Sequence, residues 1–302
     1  MSVQFLRQSS ALLMIAGLSG VFATAQSLTP FDSTRAYNHV RDQVALGPRP
    51  AGTPANSKTR EYIIGTLAKS GYTAVEQPFT ATTPVGPVKM ANVIATLPGA
   101  RSERIAIASH FDSKPIDEFR FVGANDGGSS TGALLELARV LKSRPKPQYT
   151  IEFVFFDGEE AYGEWRDPNH TYGSRHYVDA ARTSGALASL KALILLDMIG
   201  DRALNLRRDT NSTPWLTDIF WSTAKRLGHG AHFLDEPFPV EDDHIHFVKA
   251  GVPSVDLIDL DYPPWHTAGD TLEKVSAASL QIVGDVVLAA LPEVEARLSK
   301  GQ

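Results

Sequence analysis

A chain of 302 residues, 43% of them hydrophobic, can bury a full core as one large domain or two small ones. Its net charge of −5, with no basic stripe, argues against a nucleic-acid partner. The absence of cysteine excludes disulfides, thiolate metal sites and thiol nucleophiles, so any transition metal must be held by His, Asp or Glu.

The first residues read as an export signal. Arg7 supplies a positive n-region, "ALLMIAGLSGVFA" (Ala11 to Ala23) an apolar h-region, and "ATA" (Ala23, Thr24, Ala25) an A-x-A cleavage site. The apolar run is short against the roughly 20 residues of a membrane span. Residues 1–25 are therefore expected to be removed, leaving a periplasmic or secreted protein without a membrane attachment. No linker, repeat or low-complexity segment follows, and residues 28–300 are expected to form one domain.

Thr53 to Gly71, "TPANSKTREYIIGTLAKSG", predicts a helix with Thr53 as N-cap, Pro54 at the first helical position and Gly71 at the stop. The short apolar runs "ANVIATL", "RIAIASH", "IEFVFFD", "ALILLDM" and "PSVDLID" predict strands buried on both faces. Helical patterns lie among them: "TGALLELARVLKS", "TPWLTDIFWSTAKRLG", "DDHIHFVKAG" and a long one from "SAASLQ" to the C-terminus. Alternating strands and helices predict an α/β fold with layers around one mostly parallel sheet.

Acidic residues and histidines fall just past these strands and in the loops between. They are His110 and Asp112, Asp126, Glu159 and Glu160, Asp197, Asp242 with Asp243 and His244, and His266. In open α/β sheets, ligand sites form beyond the carboxyl ends of the strands, so these positions can converge on one crevice. Taken singly, each has an ordinary reading: Asp126 as a turn or cap residue, His266 as a packed histidine, Asp112 as an orienting partner of a histidine. His170, His176, His229, His232 and His246 read as loop or helix-face residues with no assigned role.

The order "HFD", "NDGGSSTG", "DGEEAYG", "LLDMIG" and "WHTAGDT" resembles the M28-type zinc peptidase family over almost the whole mature chain. The resemblance implies a three-layer fold, a central mixed, mostly parallel sheet with helices on both faces. Two activities occur on it, di-zinc aminopeptidase and single-zinc glutaminyl cyclase. "GEEAYGEWRDPNHTYGSRH", "HFDSK", "VEDDHIHFVKAGVP" and "PPWHT" are similar to the cyclase branch, which turns N-terminal Gln of peptides into pyroglutamate and ammonia. The sequence departs from the animal cyclases at Asp256, where they carry His.

By this resemblance Asp126, Glu160 and His266 are the metal ligands of one Zn²⁺ per chain. Glu159 is the acid/base, assisted by Asp197 and Asp242. Trp165, Trp265, Tyr262 and His110 are expected around the substrate, a peptide or protein beginning with Gln, bound by a monomer. In the aminopeptidase alternative, Asp126 bridges two metals, with His110 and Asp197 on the second.

Overall fold

The computed structural model describes Met1 and residues 28–301; apart from Met1, the export signal lies outside them. In chain order the elements are α1 (Ser33–Leu46), α2 (Pro54–Lys69), β1 (Ala74–Thr83), β2 (Gly86–Leu97), β3 (Arg101–His110), α3 (Gly128–Lys142), β4 (Tyr149–Phe156) and α4 (Tyr172–Thr183). There follow β5 (Leu190–Asp197), β6 (Leu206–Asp209), α5 (Pro214–Arg226), β7 (Phe233–Phe238), α6 (His244–Lys249), β8 (Ser254–Ile258) and α7 (Ala277–Ser299).

Six strands form one mixed sheet in the order β1-β2-β4-β3-β5-β8. The β1–β2 and β2–β4 pairs are antiparallel. From β4 through β3 and β5 to β8 every pairing is parallel. The period-2 alternation of a strand explains the two covered faces. Ile105 and Ile107 of β3 face the larger core, built with α1, α2, α3, α5 and α7. Ala106 and Ala108 face the opposite way, onto Tyr177 and Val178 of α4 and Phe247 of α6. Each large apolar side chain buried in these layers contributes about 1.5–3 kcal/mol. Helix α7 is long and apolar enough to cross a membrane, but its Val283, Val286, Val287 and Leu291 are buried in the larger core.

The expected three-layer architecture is present. The Thr53 cap is realised, its hydroxyl accepting from the Asn56 N–H at 3.2 Å. The parallel strands end together: His110 of β3 is level with Phe156 of β4, and Asp197 of β5 with Ile258 of β8. That shared edge carries the site.

Candidate active site

The Glu159–Glu160 pair leaves β4 through Gly158, whose φ of +72° is left-handed and whose missing side chain leaves room for Met90. Both glutamate N–H groups donate to one carboxylate: Glu159 to Asp112 Oδ1 at 3.1 Å, Glu160 to Asp112 Oδ2 at 3.3 Å. Asp112 thus clamps the turn, and the two side chains diverge into different surroundings.

Glu160 Oε1 lies 3.2 Å from His266 Nε2, and that same nitrogen is 3.2 Å from Asp126 Oδ2. The ligand atoms of Asp126, Glu160 and His266 all lie within 4.8 Å of one another. Lys114 Nζ approaches the other oxygen of Glu160 at 3.4 Å. Burial lowers the His266 imidazole, but the neighbouring carboxylates of Asp126 and Glu160 outweigh this and raise it to about 9. His266 has φ +51°, a left-handed conformation that costs a histidine roughly 1–3 kcal/mol.

Behind this triad lies a second cluster. His110 Nε2 is 3.2 Å from Asp126 Oδ1 and 3.2 Å from Asp197 Oδ1. Its Nδ1 is 3.4 Å from Asp112 and 3.8 Å from Glu159. Burial lowers the His110 imidazole, yet the carboxylates of Asp197 and Glu159 raise it well above its ordinary range. Burial, only partly offset by His110, pushes Glu159 well above the usual carboxylate range, with Asp242 adding to it. Asp126 goes down, because the two imidazoles beside it, His110 and His266, outweigh its burial.

The backbone around Asp126 is held from two sides. Asp270 accepts from the N–H groups of Asn125 at 2.8 Å and Asp126 at 3.1 Å. The buried Arg49 guanidinium donates to the carbonyls of Phe111 at 2.6 Å, Gly123 at 2.8 Å and Asp126 at 3.3 Å. Gly127, at φ +70°, packs so closely on His110 that a Cβ there would lie 2.8 Å from its Cε1.

A cavity of about 250 Å³ opens over Asp126, Glu160 and His266, with Glu159, Asp197 and Asp242 also in its wall. Trp165 and Trp265 flank it and are 37% and 44% exposed. Two residues expected at the substrate do not line it. Tyr262 is buried against Met198, Val240 and Ile258, and its hydroxyl donates to Asp270 at 2.8 Å. His110 is buried, its Nε2 covered by the carboxylates of Asp126 and Asp197. Arg49 and Asp270 were not anticipated. Asp256 is buried with its Oδ2 3.5 Å from His244 Nδ1, and His244 Nε2 is 3.0 Å from Asp209.

Residues 92–291 match the model of peptidase family M28. The chain belongs to peptidase family M28. It is 34% identical over 254 residues to the glutaminyl-peptide cyclotransferase-like protein of Bos taurus, covering 74% of this chain and 66% of that protein, just under two thirds. It is 30% identical over 271 residues to the glutaminyl-peptide cyclotransferase of Drosophila melanogaster, covering 80% and 76%. Among solved structures, an Acidobacteriales bacterium glutaminyl cyclase superposes with a TM-score of 0.87 at 39% identity, over 92% of this chain and all (100%) of that one. A Zn-dependent exopeptidase from Parabacteroides distasonis superposes with a TM-score of 0.79 at 27% identity, over 88% and 99%.

Asp126, Glu160 and His266 suit the metal that this family implies. One His266 N–H cannot point at two carboxylates at once, whereas a neutral imidazole and two carboxylates converging on a cation satisfy all three. Asp126 Oδ2 fits the same account, being buried with no hydrogen-bond partner among the described residues.

Proposed function

We propose that this chain is a zinc-dependent glutaminyl-peptide cyclotransferase, converting N-terminal Gln of peptides to pyroglutamate with release of ammonia. The observation that carries the reading is the cavity floor. Asp126, Glu160 and His266 share one wall with Glu159, between Trp165 and Trp265. The Acidobacteriales structure carries the glutaminyl cyclase name, the Drosophila melanogaster relative is named glutaminyl-peptide cyclotransferase, and the Bos taurus relative is named cyclotransferase-like.

Asp126, Glu160 and His266 would hold Zn²⁺, which supplies Lewis-acid polarisation of a carbonyl when bound. Glu159 is the acid/base. It takes a proton from the neutral α-amine as the amine nitrogen attacks the carbonyl carbon (Cδ) of the Gln side-chain carboxamide. It returns that proton to the departing amide nitrogen, so the C–N bond to the leaving group breaks and ammonia departs. Burial that raises Glu159 brings it nearer the range in which a carboxyl both accepts and gives a proton. Asp197 and Asp242 accept hydrogen bonds from the amine and hold its approach. The two tryptophans exclude water and hold the aliphatic part of the Gln side chain.

A second reading is a two-metal aminopeptidase. It is favoured by the His110, Asp126 and Asp197 group, whose ligand atoms also lie within 4.8 Å of one another. A peptide beginning Gln-Leu separates the two by mass. Loss of one ammonia from the intact chain, blocked by chelator, is expected; release of free Gln would overturn the cyclase. We also infer a single domain over residues 28–300, acting as a monomer behind a cleaved signal, in the periplasm or outside the cell.

A further inference from the structure

Trp165 reaches the cavity from the loop between β4 and α4, and its footing is unusual. The indole stacks on the His170 imidazole, with ring centroids 4.1 Å apart and planes 15° from parallel. Trp165 is 37% exposed while His170 is only 2% exposed. An exposed wall therefore stands on a buried floor.

That floor is tied to the rest of the site. His170 Nδ1 lies 3.1 Å from Thr171 Oγ1, and the same hydroxyl lies 2.8 Å from His246 Nε2 on α6, the helix that follows Asp242. The Thr171 N–H donates to the Glu159 carbonyl at 2.7 Å. One residue thus joins the tryptophan loop, the Glu159 turn and α6. A hydroxyl donates once and accepts besides, so it matches two neutral imidazoles presenting opposite tautomers. Burial lowers both histidines, His246 to about 4. His170 Nε2 is buried with no hydrogen-bond partner among the described residues, and the Asp167 carboxylate is 3.9 Å away.

The loop backbone is fixed separately. The Tyr162 N–H donates to the Asn169 carbonyl at 3.2 Å, and Arg175 donates to the carbonyls of Pro168 at 3.1 Å and His170 at 2.5 Å. These bonds set the loop's path but not the plane of the indole. The stack on His170 supplies that plane before substrate arrives, which lowers the ordering cost of binding.

We propose that His170 is a positioning residue for substrate binding: it holds Trp165 as a preformed wall for the N-terminal side chain, its own plane fixed through Thr171 and His246. The proposal rests on the cyclase reading of the cavity.

The test uses the full mature chain and a Gln-Leu peptide, following ammonia release. His170→Ala raises KM by about three- to tenfold, the worth of an aromatic pair. Its kcat stays within about twofold, because the wall binds ground and transition states alike. His170→Phe, which keeps an aromatic face, restores KM. In a Trp165→Ala background, His170→Ala adds nothing further. An unchanged KM, the same rise in both backgrounds, or failure of Phe to rescue a folded protein overturns the proposal.

A second readout needs no turnover. The emission of Trp165, taken as wild type minus Trp165→Phe, becomes more open to acrylamide quenching in His170→Ala. Absence of any ammonia release by the wild type would sink the cyclase reading alone. Quenching that His170→Ala leaves unaltered would sink the platform itself.

Discussion

The two carboxylate–imidazole clusters that share Asp126 have matching distances, yet they differ in access. In each, one histidine Nε2 sits 3.2 Å from two carboxylate oxygens. The outer histidine, His266, keeps 22% of its side chain exposed and faces the cavity; the inner one, His110, keeps 2%. The outer cluster contains the buried Asp126 Oδ2, without a hydrogen-bond partner among the described residues. In the inner cluster Asp197 Oδ1 already accepts from the Met198 N–H at 2.8 Å as well as facing His110. Ligand types alone would allow two metals. Access favours one, on the cavity side; unmet atoms do not separate the halves, because His110 Nδ1 of the inner cluster is also buried without a hydrogen-bond partner among the described residues.

The most severe way to break this comparison is to remove a histidine from each half. His266→Ala should lose the metal and bring turnover to background. His110→Gln should keep one zinc per chain and lose about 10- to 100-fold in activity, as supporting residues of metal sites do. Elemental analysis of both variants decides. A fall from two metals to one in His110→Gln would make the inner cluster a metal site and favour the aminopeptidase.

Glu159 belongs to neither triad, although it is covalently next to Glu160. Glu159→Gln should cost about 10²- to 10⁴-fold in kcat, the worth of a positioned acid/base. Zinc content should stay unchanged. An unaltered rate would remove Glu159 from the chemistry.

Much of this site was legible in the sequence for one physical reason. Parallel strands buried on both faces read as continuous apolar runs, and their carboxyl ends must come out on one edge. Hence Glu159, Glu160, Asp197 and the loop residue Asp126 could be gathered before any geometry was known. The unread elements lack that signal. Strand β1 lies at the sheet edge, half exposed and with Pro78 in its middle. Helix α4 starts after Thr171 with no side-chain cap, so nothing local announces it. Arg49 and Asp270 escaped notice because they act on backbone groups far along the chain. Asp270 lies within the "WHTAGDT" stretch, but it holds the N–H of a residue 144 positions away, a bond that the stretch itself does not show.

The pH profile sharpens the division between the halves at Asp242, on the cavity wall near Asp197. Burial, then the neighbouring Asp197 charge, raises the Asp242 carboxyl to about 6 against the pull of His244. A carboxylate that accepts from the substrate amine must be ionised. Activity should therefore be present above about pH 6 and fall as pH drops through it, approaching tenfold per unit. In Asp242→Asn the limb in kcat/KM should move to lower pH: the Asp242 contribution is lost, and Glu159, which must also be ionised to accept the proton, loses a neighbouring charge that raises it. Comparing both proteins on one peptide cancels the amine's own ionisation. A limb that persists unchanged would detach Asp242 from the reaction.

The smallest effect tests where the support of Asp126 ends. Tyr262 stands behind Asp270, which holds the Asn125 and Asp126 N–H groups. Tyr262→Phe removes one hydroxyl and leaves Asp270 with its two backbone donors. The expected cost is about 0.5–1.5 kcal/mol of stability, that of one hydrogen bond. The metal should stay, and kcat/KM should fall by no more than about twofold, with KM nearly constant. A large rise in KM alone would return Tyr262 to the substrate, against its place outside the cavity wall. A loss of zinc would mean that the Asp270 carboxylate cannot hold the Asp126 loop without its third donor.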